Sequence, residues 1–138
     1  MAISVSWGNP EKTYTCFKFE GQWTWEEYHQ SVREAYAMVK DLPYTVNVLI
    51  DMTDCKLFPQ NMLSHFGSSM QRVPRTFDLC VVVSSSMFVE TLTGMINALF
   101  GKKKVRFVSV RTLEAGQRIF AEHDAKQTVK AGGASSRS

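Results

Sequence analysis

One stretch constrains this chain more than any other: Phe77 to Val83, FDLCVVV, which is apolar on both faces of a strand. A strand with one wet face alternates polar and apolar residues; a strand apolar on both faces needs a layer above it and another below. Helices packed on both sides of a sheet meet that demand, so the flanking sequence has to supply further strands and amphipathic helices. It does.

Residues 3–8 alternate, with Ile3, Val5 and Trp7 on one face, and residues 13–20 alternate again, with Phe17 and Phe19 opposite Lys18 and Glu20. The short Asn9-Pro10-Glu11-Lys12 connection predicts an antiparallel hairpin. Thr24 then opens a first helix as a capping box with Glu27, followed by Trp25, Tyr28, Val32, Ala35, Tyr36 and Val39 at helical spacing. A third strand runs from Thr45 to Met52, with Val46, Val48 and Ile50 on one face and Leu49 on the other. After a loop from Asp51 to Phe58, Pro59 suits the first position of a second helix carrying Met62, Leu63, Phe66, Met70 and Val73. Ser86 caps a third helix whose stripe is Phe88, Leu92, Met95, Ile96 and Leu99. Gly101 and Lys102 to Lys104 suit that helix's C-terminal end. A fifth strand, Val105 to Val110, precedes a last helix capped by Thr112, with Leu113, Ile119 and Phe120 inward. The predicted class is α/β: a mixed five-stranded sheet, an N-terminal hairpin then βαβ units, and four helices, in the order β-β-α-β-α-β-α-β-α. Right-handed crossovers make the last three strands parallel.

A chain of 138 residues, 44% apolar and 21% charged, fits one domain with a real core. That domain is expected over residues 1–124, followed by a disordered basic Gly/Ser/Ala tail at 125–138. The net charge of +3 belongs to the tail, which holds Lys126, Lys130, Arg137 and no acid; the rest balances thirteen bases against thirteen acids. A neutral body argues against a nucleic-acid partner, which needs clustered Lys and Arg on the folded surface. No apolar run approaches the roughly 18 residues of a transmembrane segment, and MAISVSWG lacks a basic region followed by an apolar one, so no export signal is expected. Cys16, Cys55 and Cys80 are odd in number, far apart and without CxxC spacing, as in a reducing compartment, so a cytoplasmic location is expected.

Candidate chemistry gathers where strands end. Asp51, Thr53, Asp54 and Cys55 leave the third strand at the edge where open parallel sheets place ligands. Ser84, Ser85, Ser86 and Arg111 leave the fourth and fifth strands along the same edge. Each group also has a simpler reading. The two aspartates can form a turn by bonding their own backbone, and the serines can cap a helix instead of holding an anion. Cys55 has no histidine near it in sequence to activate it as a nucleophile. His29, His65 and His123 sit on three different helices without metal-ligand spacing, so no metal is expected. No phosphate loop, GxSxG elbow or HExxH motif occurs, and no cofactor is expected. Trp23, Trp25 and Tyr28 cluster where the hairpin meets the first helix, as a packing plug or as anchors for a partner. The basic stretch Lys102 to Arg106 is a solvated helix end or a contact for acidic lipid or protein.

The segments "GQWTWEEYHQSVREA", "VNVLIDMTD", "LCVVVSSS" and "VSVRTLEAGQRIF", in this order and spacing, resemble the STAS-like superfamily of anti-sigma-factor antagonists, in particular its SpoIIAA-like branch of small stand-alone proteins. The resemblance covers roughly residues 3–124. It implies a non-enzymatic α/β domain that docks to a partner, sometimes switched by phosphorylation. In the antagonists a strand-terminal Asp precedes a short loop bearing the phosphorylated serine. Asp51 matches that Asp, but "TDCKLFPQN" replaces the serine loop, with Thr53 its only hydroxyl. The SpoIIAA-like branch is also similar to Sec14-type lipid-binding domains.

Three functions follow as expectations. The first is a non-catalytic interaction or regulatory module, binding a protein partner or itself as a homodimer, which requires an exposed apolar patch. The second is a carrier of a small apolar or lipid-like ligand, lined by some of the seven methionines and nine phenylalanines. It requires an apolar cavity between the second and third helices and the sheet. The third is an enzyme using Asp51, Asp54 or Cys55, which requires a cleft with a base in reach.

Overall fold

A computed structural model describes residues 2–55, 58–74, 76–100 and 105–124. The expected tail at 125–138, Gly101 and Lys102 to Lys104 lie outside the described residues. In chain order the elements are β1 (Ile3–Trp7), β2 (Tyr14–Gly21), α1 (Trp25–Val39), β3 (Val46–Cys55), α2 (Met62–Met70), β4 (Phe77–Val83), α3 (Met87–Phe100) and β5 (Arg106–Val110). A fourth helix, α4, spans residues 113–124. The mixed five-stranded sheet, the four helices and their order are as the sequence predicts.

The strands lie side by side in chain order, β1-β2-β3-β4-β5. β1 and β2 form the antiparallel hairpin, with Ile3 opposite Phe19 and Trp7 opposite Thr15. Asn9 closes it, its side chain bonded to the backbone N–H and the hydroxyl of Thr13. Every later pair is parallel, so β2 joins the parallel set that the sequence predicts only for the last three strands. Successive parallel neighbours joined by crossovers of one hand place their helices on one face of the sheet. Accordingly α1, α2 and α3 share a core with Phe17, Phe19, Val48, Met52, Cys80 and Val82. The opposite face, Leu49, Leu79, Val81 and Val83, is covered by Ile119 and Phe120 of α4. Both faces of β4 are therefore buried.

Local chemistry sets the boundaries. The capping box forms as expected: Glu27 N–H donates to Thr24 Oγ1 at 3.2 Å and Thr24 N–H to Glu27 Oε1 at 3.3 Å. Ser86 and Thr112 cap α3 and α4 by accepting from Val89 N–H and Ala115 N–H. Three expectations need correction. β3 does not end at Met52; Glu20 and Gly21 of β2 go on to pair with Asp54 and Cys55, so the ladder carries it to Cys55. α2 starts at Met62, not Pro59, because Asn61 adopts a left-handed φ of 66° that no preceding helical turn can enter. Among the described side chains of α3 the buried ones are Val89, Leu92, Thr93 and Ile96, so Phe88, Met95 and Leu99 face outward, as does Leu113 of α4.

Candidate functional site

The register puts Asp51, Val83 and Val110 in one row across β3, β4 and β5. The segments Asp51–Cys55, Ser84–Ser86 and Arg111 thus begin along one sheet edge. Each makes its own set of polar bonds. Asp51 Oδ1 accepts from the backbone N–H and the hydroxyl of Thr53 at 3.0 and 2.7 Å, the local bonding that a turn-forming Asp makes. Asp54 is exposed and lies 3.8 Å from Lys18 Nζ. Cys55 Sγ accepts from Trp23 Nε1 at 3.1 Å. Ser84 Oγ accepts from Ser86 N–H at 3.1 Å, Ser86 caps α3, and Ser85 is exposed. Arg111 is exposed. Among the described residues no hydrogen bond or ion pair joins the β3 group to the β4 and β5 groups.

The aromatic cluster is resolved residue by residue. Trp23 and Tyr28 are buried, as a packing plug requires and an exposed anchor does not. Trp23 packs edge-on against Phe19 and Trp25, each with ring centres 4.9 Å apart. Tyr28 donates to Ser69 Oγ at 2.9 Å, and burial pushes its hydroxyl pKa far up. Trp25 alone stays partly open. Its Nε1 donates to the Gln60 carbonyl at 2.8 Å, and its ring stacks on His65 with centres 4.0 Å apart.

Spacing along the chain hides a histidine pair. His29 of α1 and His65 of α2 meet through Nε2 and Nδ1 at 2.9 Å. They lie 36 positions apart, so no local spacing signals the contact; only the docking of α2 against α1 makes it. Burial first, then the charges of His65, Arg72 and Arg33, hold the His29 pKa below its ordinary value. His123 of α4 bonds Asp78 at the start of β4 at 2.6 Å, tying that helix to the sheet. No group of three or more His, Cys, Asp or Glu suited to a metal occurs among the described residues.

The cavity that a carrier would need is present in small form. Two adjoining apolar cavities of about 50 Å³ each lie between the helices and the sheet. One sits under α2 and α3 between Met62, Phe66, Leu92 and Ile96, the other under α1 between Phe17, Val32, Tyr36 and Phe77, and both touch Tyr28, Ile50, Met70 and Phe107. Each is well below the roughly 150 Å³ of a cavity that takes up benzene, so neither holds a chain-like molecule without displacing side chains. The methionines at 62 and 70 are the ones suited to move. The outer face of α3 is the other feature, with Met87 77%, Phe88 52%, Met95 46% and Leu99 58% exposed. An open groove between α2 and α3 runs beside it, lined by Leu63, Phe88, Leu92 and Met95.

These elements, in this order, build a SpoIIAA-like fold. The chain is similar to the crystal structure of an uncharacterised protein of the DUF3478 family from Shewanella loihica PV-4, itself described as having a SpoIIAA-like fold. The two share 16% identity over 83% of this chain and 88% of that one, with a TM-score of 0.62. No family model matches the sequence, and no curated protein does. No described helix is long and apolar enough to cross a membrane.

Proposed function

We propose that this chain is a non-catalytic interaction module that docks a protein partner on the outer face of α3. The observation that carries the reading is that face: Met87, Phe88, Met95 and Leu99 are all exposed, and Glu90 is the only charged residue in the fourteen of the helix. A helix without a polar side is one that packing covers on every side, and a contiguous exposed apolar patch marks an interaction surface. The groove beside α2 offers a slot for one apolar side chain of the partner. Within this reading Asp51 and Thr53 are turn-forming residues at the sheet edge, with no catalytic or phosphoswitch role. The wide spacing of the three cysteines supports a cytoplasmic setting.

The test is site-specific photo-crosslinking in living cells. A crosslinker at Met95 or Leu99 is expected to capture a discrete species that a crosslinker at Gln117, on the exposed side of α4, does not. Phe88→Asp is expected to abolish that capture. A species of twice the chain's mass means that the partner is a second copy. Equal capture from all three positions, or none, defeats the reading. A second reading, a carrier of a small lipid-like ligand, is favoured by the paired apolar cavities. It expects a hydrophobic molecule to remain bound through native mass spectrometry.

A further inference from the structure

A concave surface on the α1 side of the molecule collects positive charge with no acid to balance it. His29 and Arg33 lie on one face of α1, Lys40 follows as its C-cap, and Arg72 reaches the same groove from the segment after α2. The groove is about 400 Å³, and no Asp or Glu lines it. None of Arg33, Lys40 and Arg72 has a carboxylate within ion-pair distance among the described residues. Arg33 Nη2 donates to the neutral Gln30 side chain at 2.7 Å, and Glu34, the nearest acid in sequence, bonds Gln30 instead of entering the groove.

A solvated basic helix face is the simpler account, and two features weigh against it. Arg72 comes from a different element, so helical pattern alone does not put it there. Arg33 and Arg72 line the groove together with His29, whose pKa both lower. The floor of the groove is also informative. Val32 and Tyr36 line it and also line the apolar cavity under α1, while the Tyr36 hydroxyl points inward to donate to the Ser69 carbonyl at 2.9 Å. Polar mouth and apolar interior therefore adjoin.

We propose that the groove framed by His29, Arg33, Lys40 and Arg72 binds a phosphate monoester. The forked guanidiniums of Arg33 and Arg72 suit the phosphate oxygens, and Lys40 supplies a point charge. The phosphate belongs either to a free phosphorylated metabolite or to the head of a single-chain amphiphile whose tail displaces Met70 to enter the cavity beyond Val32 and Tyr36. The site is separate from the α3 face, so it stands or falls independently of protein docking.

The experiment is a titration of the intact protein with inorganic phosphate, phenyl phosphate and a series of n-alkyl phosphates. Amide shifts are followed by NMR at constant ionic strength set with chloride. Saturable shifts are expected around residues 29–40 and 72. Arg33→Gln and Arg72→Gln are each expected to weaken binding about tenfold, the size of a charge-assisted hydrogen bond. Arg118→Gln, which removes an exposed cation on α4, leaves affinity unchanged, and unchanged thermal midpoints show that the variants fold. A rise in affinity with chain length, toward about fourfold per methylene, identifies the amphiphile; affinity independent of chain length identifies the free metabolite. The proposal is overturned if no probe saturates up to millimolar concentration, or if Arg118→Gln weakens binding as much as Arg72→Gln.

Discussion

His29 and His65 illustrate what single residues contribute here. Their 2.9 Å contact needs one ring nitrogen to donate and the other to accept, so at least one ring is neutral. Burial and the neighbouring His65, Arg72 and Arg33 all favour the neutral form of His29 and depress its pKa. Between that lowered value and the ordinary 6.5, the unfolded chain binds a proton that the folded chain does not. Stability therefore falls as pH drops through 6.5 and levels off below the depressed pKa. Above 6.5 the penalty is absent. Urea unfolding at a series of pH values is expected to show this loss in the wild type and a smaller one in His29→Asn. Equal pH profiles in both proteins would contradict the assignment.

At the scale of elements, α3 shows why periodicity alone misjudged a face. Its sequence, MFVETLTGMINALF, is apolar around most of its circumference, so several stripes satisfy helical spacing equally well. The choice is made elsewhere. Ser86 fixes the start of the helix, and the Asn97 side chain accepts from Phe107 N–H of β5 at 2.9 Å, which turns Leu92 and Ile96 to the sheet and Leu99 to the outside. The two leucines should therefore differ sharply. Leu92→Ala is expected to cost roughly 2–5 kcal/mol in unfolding free energy, and Leu99→Gln about 0.5 kcal/mol or less. The β3 and α2 boundaries carry a similar lesson. The pairing with β2 that lengthens β3 is a long-range event, and the left-handed Asn61 that delays α2 follows a residue whose carbonyl is held by Trp25.

At the scale of the whole molecule, the layers are unequal: three helices cover one face of the sheet and α4 alone covers the other. α4 packs closely because it carries Gly116, where an added Cβ would lie 3.2 Å from both Leu49 Cδ1 and Val81 Cγ1. A larger side chain has to push the helix away from the strands. Gly116→Leu is expected to destabilise the domain by about 1–3 kcal/mol, the cost of overpacking. Thermal unfolding measures it, and an unchanged midpoint would show that α4 does not pack as described.

Strand alternation, caps and breakers act within a few residues, so the element order, the burial of β4 on both faces and all three serine and threonine caps were legible in the chain by itself. The strand-exit residues were legible too, as positions along one edge, because strand direction follows from the crossovers. What the tertiary structure alone decided are contacts between residues far apart: the His29–His65 pair, the burial of Trp23 and Tyr28, the outward face of α3, and the meeting of Arg72 with Arg33 and Lys40. These depend on how helices rotate and dock on the sheet. That rotation is selected by packing of the whole core and leaves no periodic trace in the sequence around any one residue.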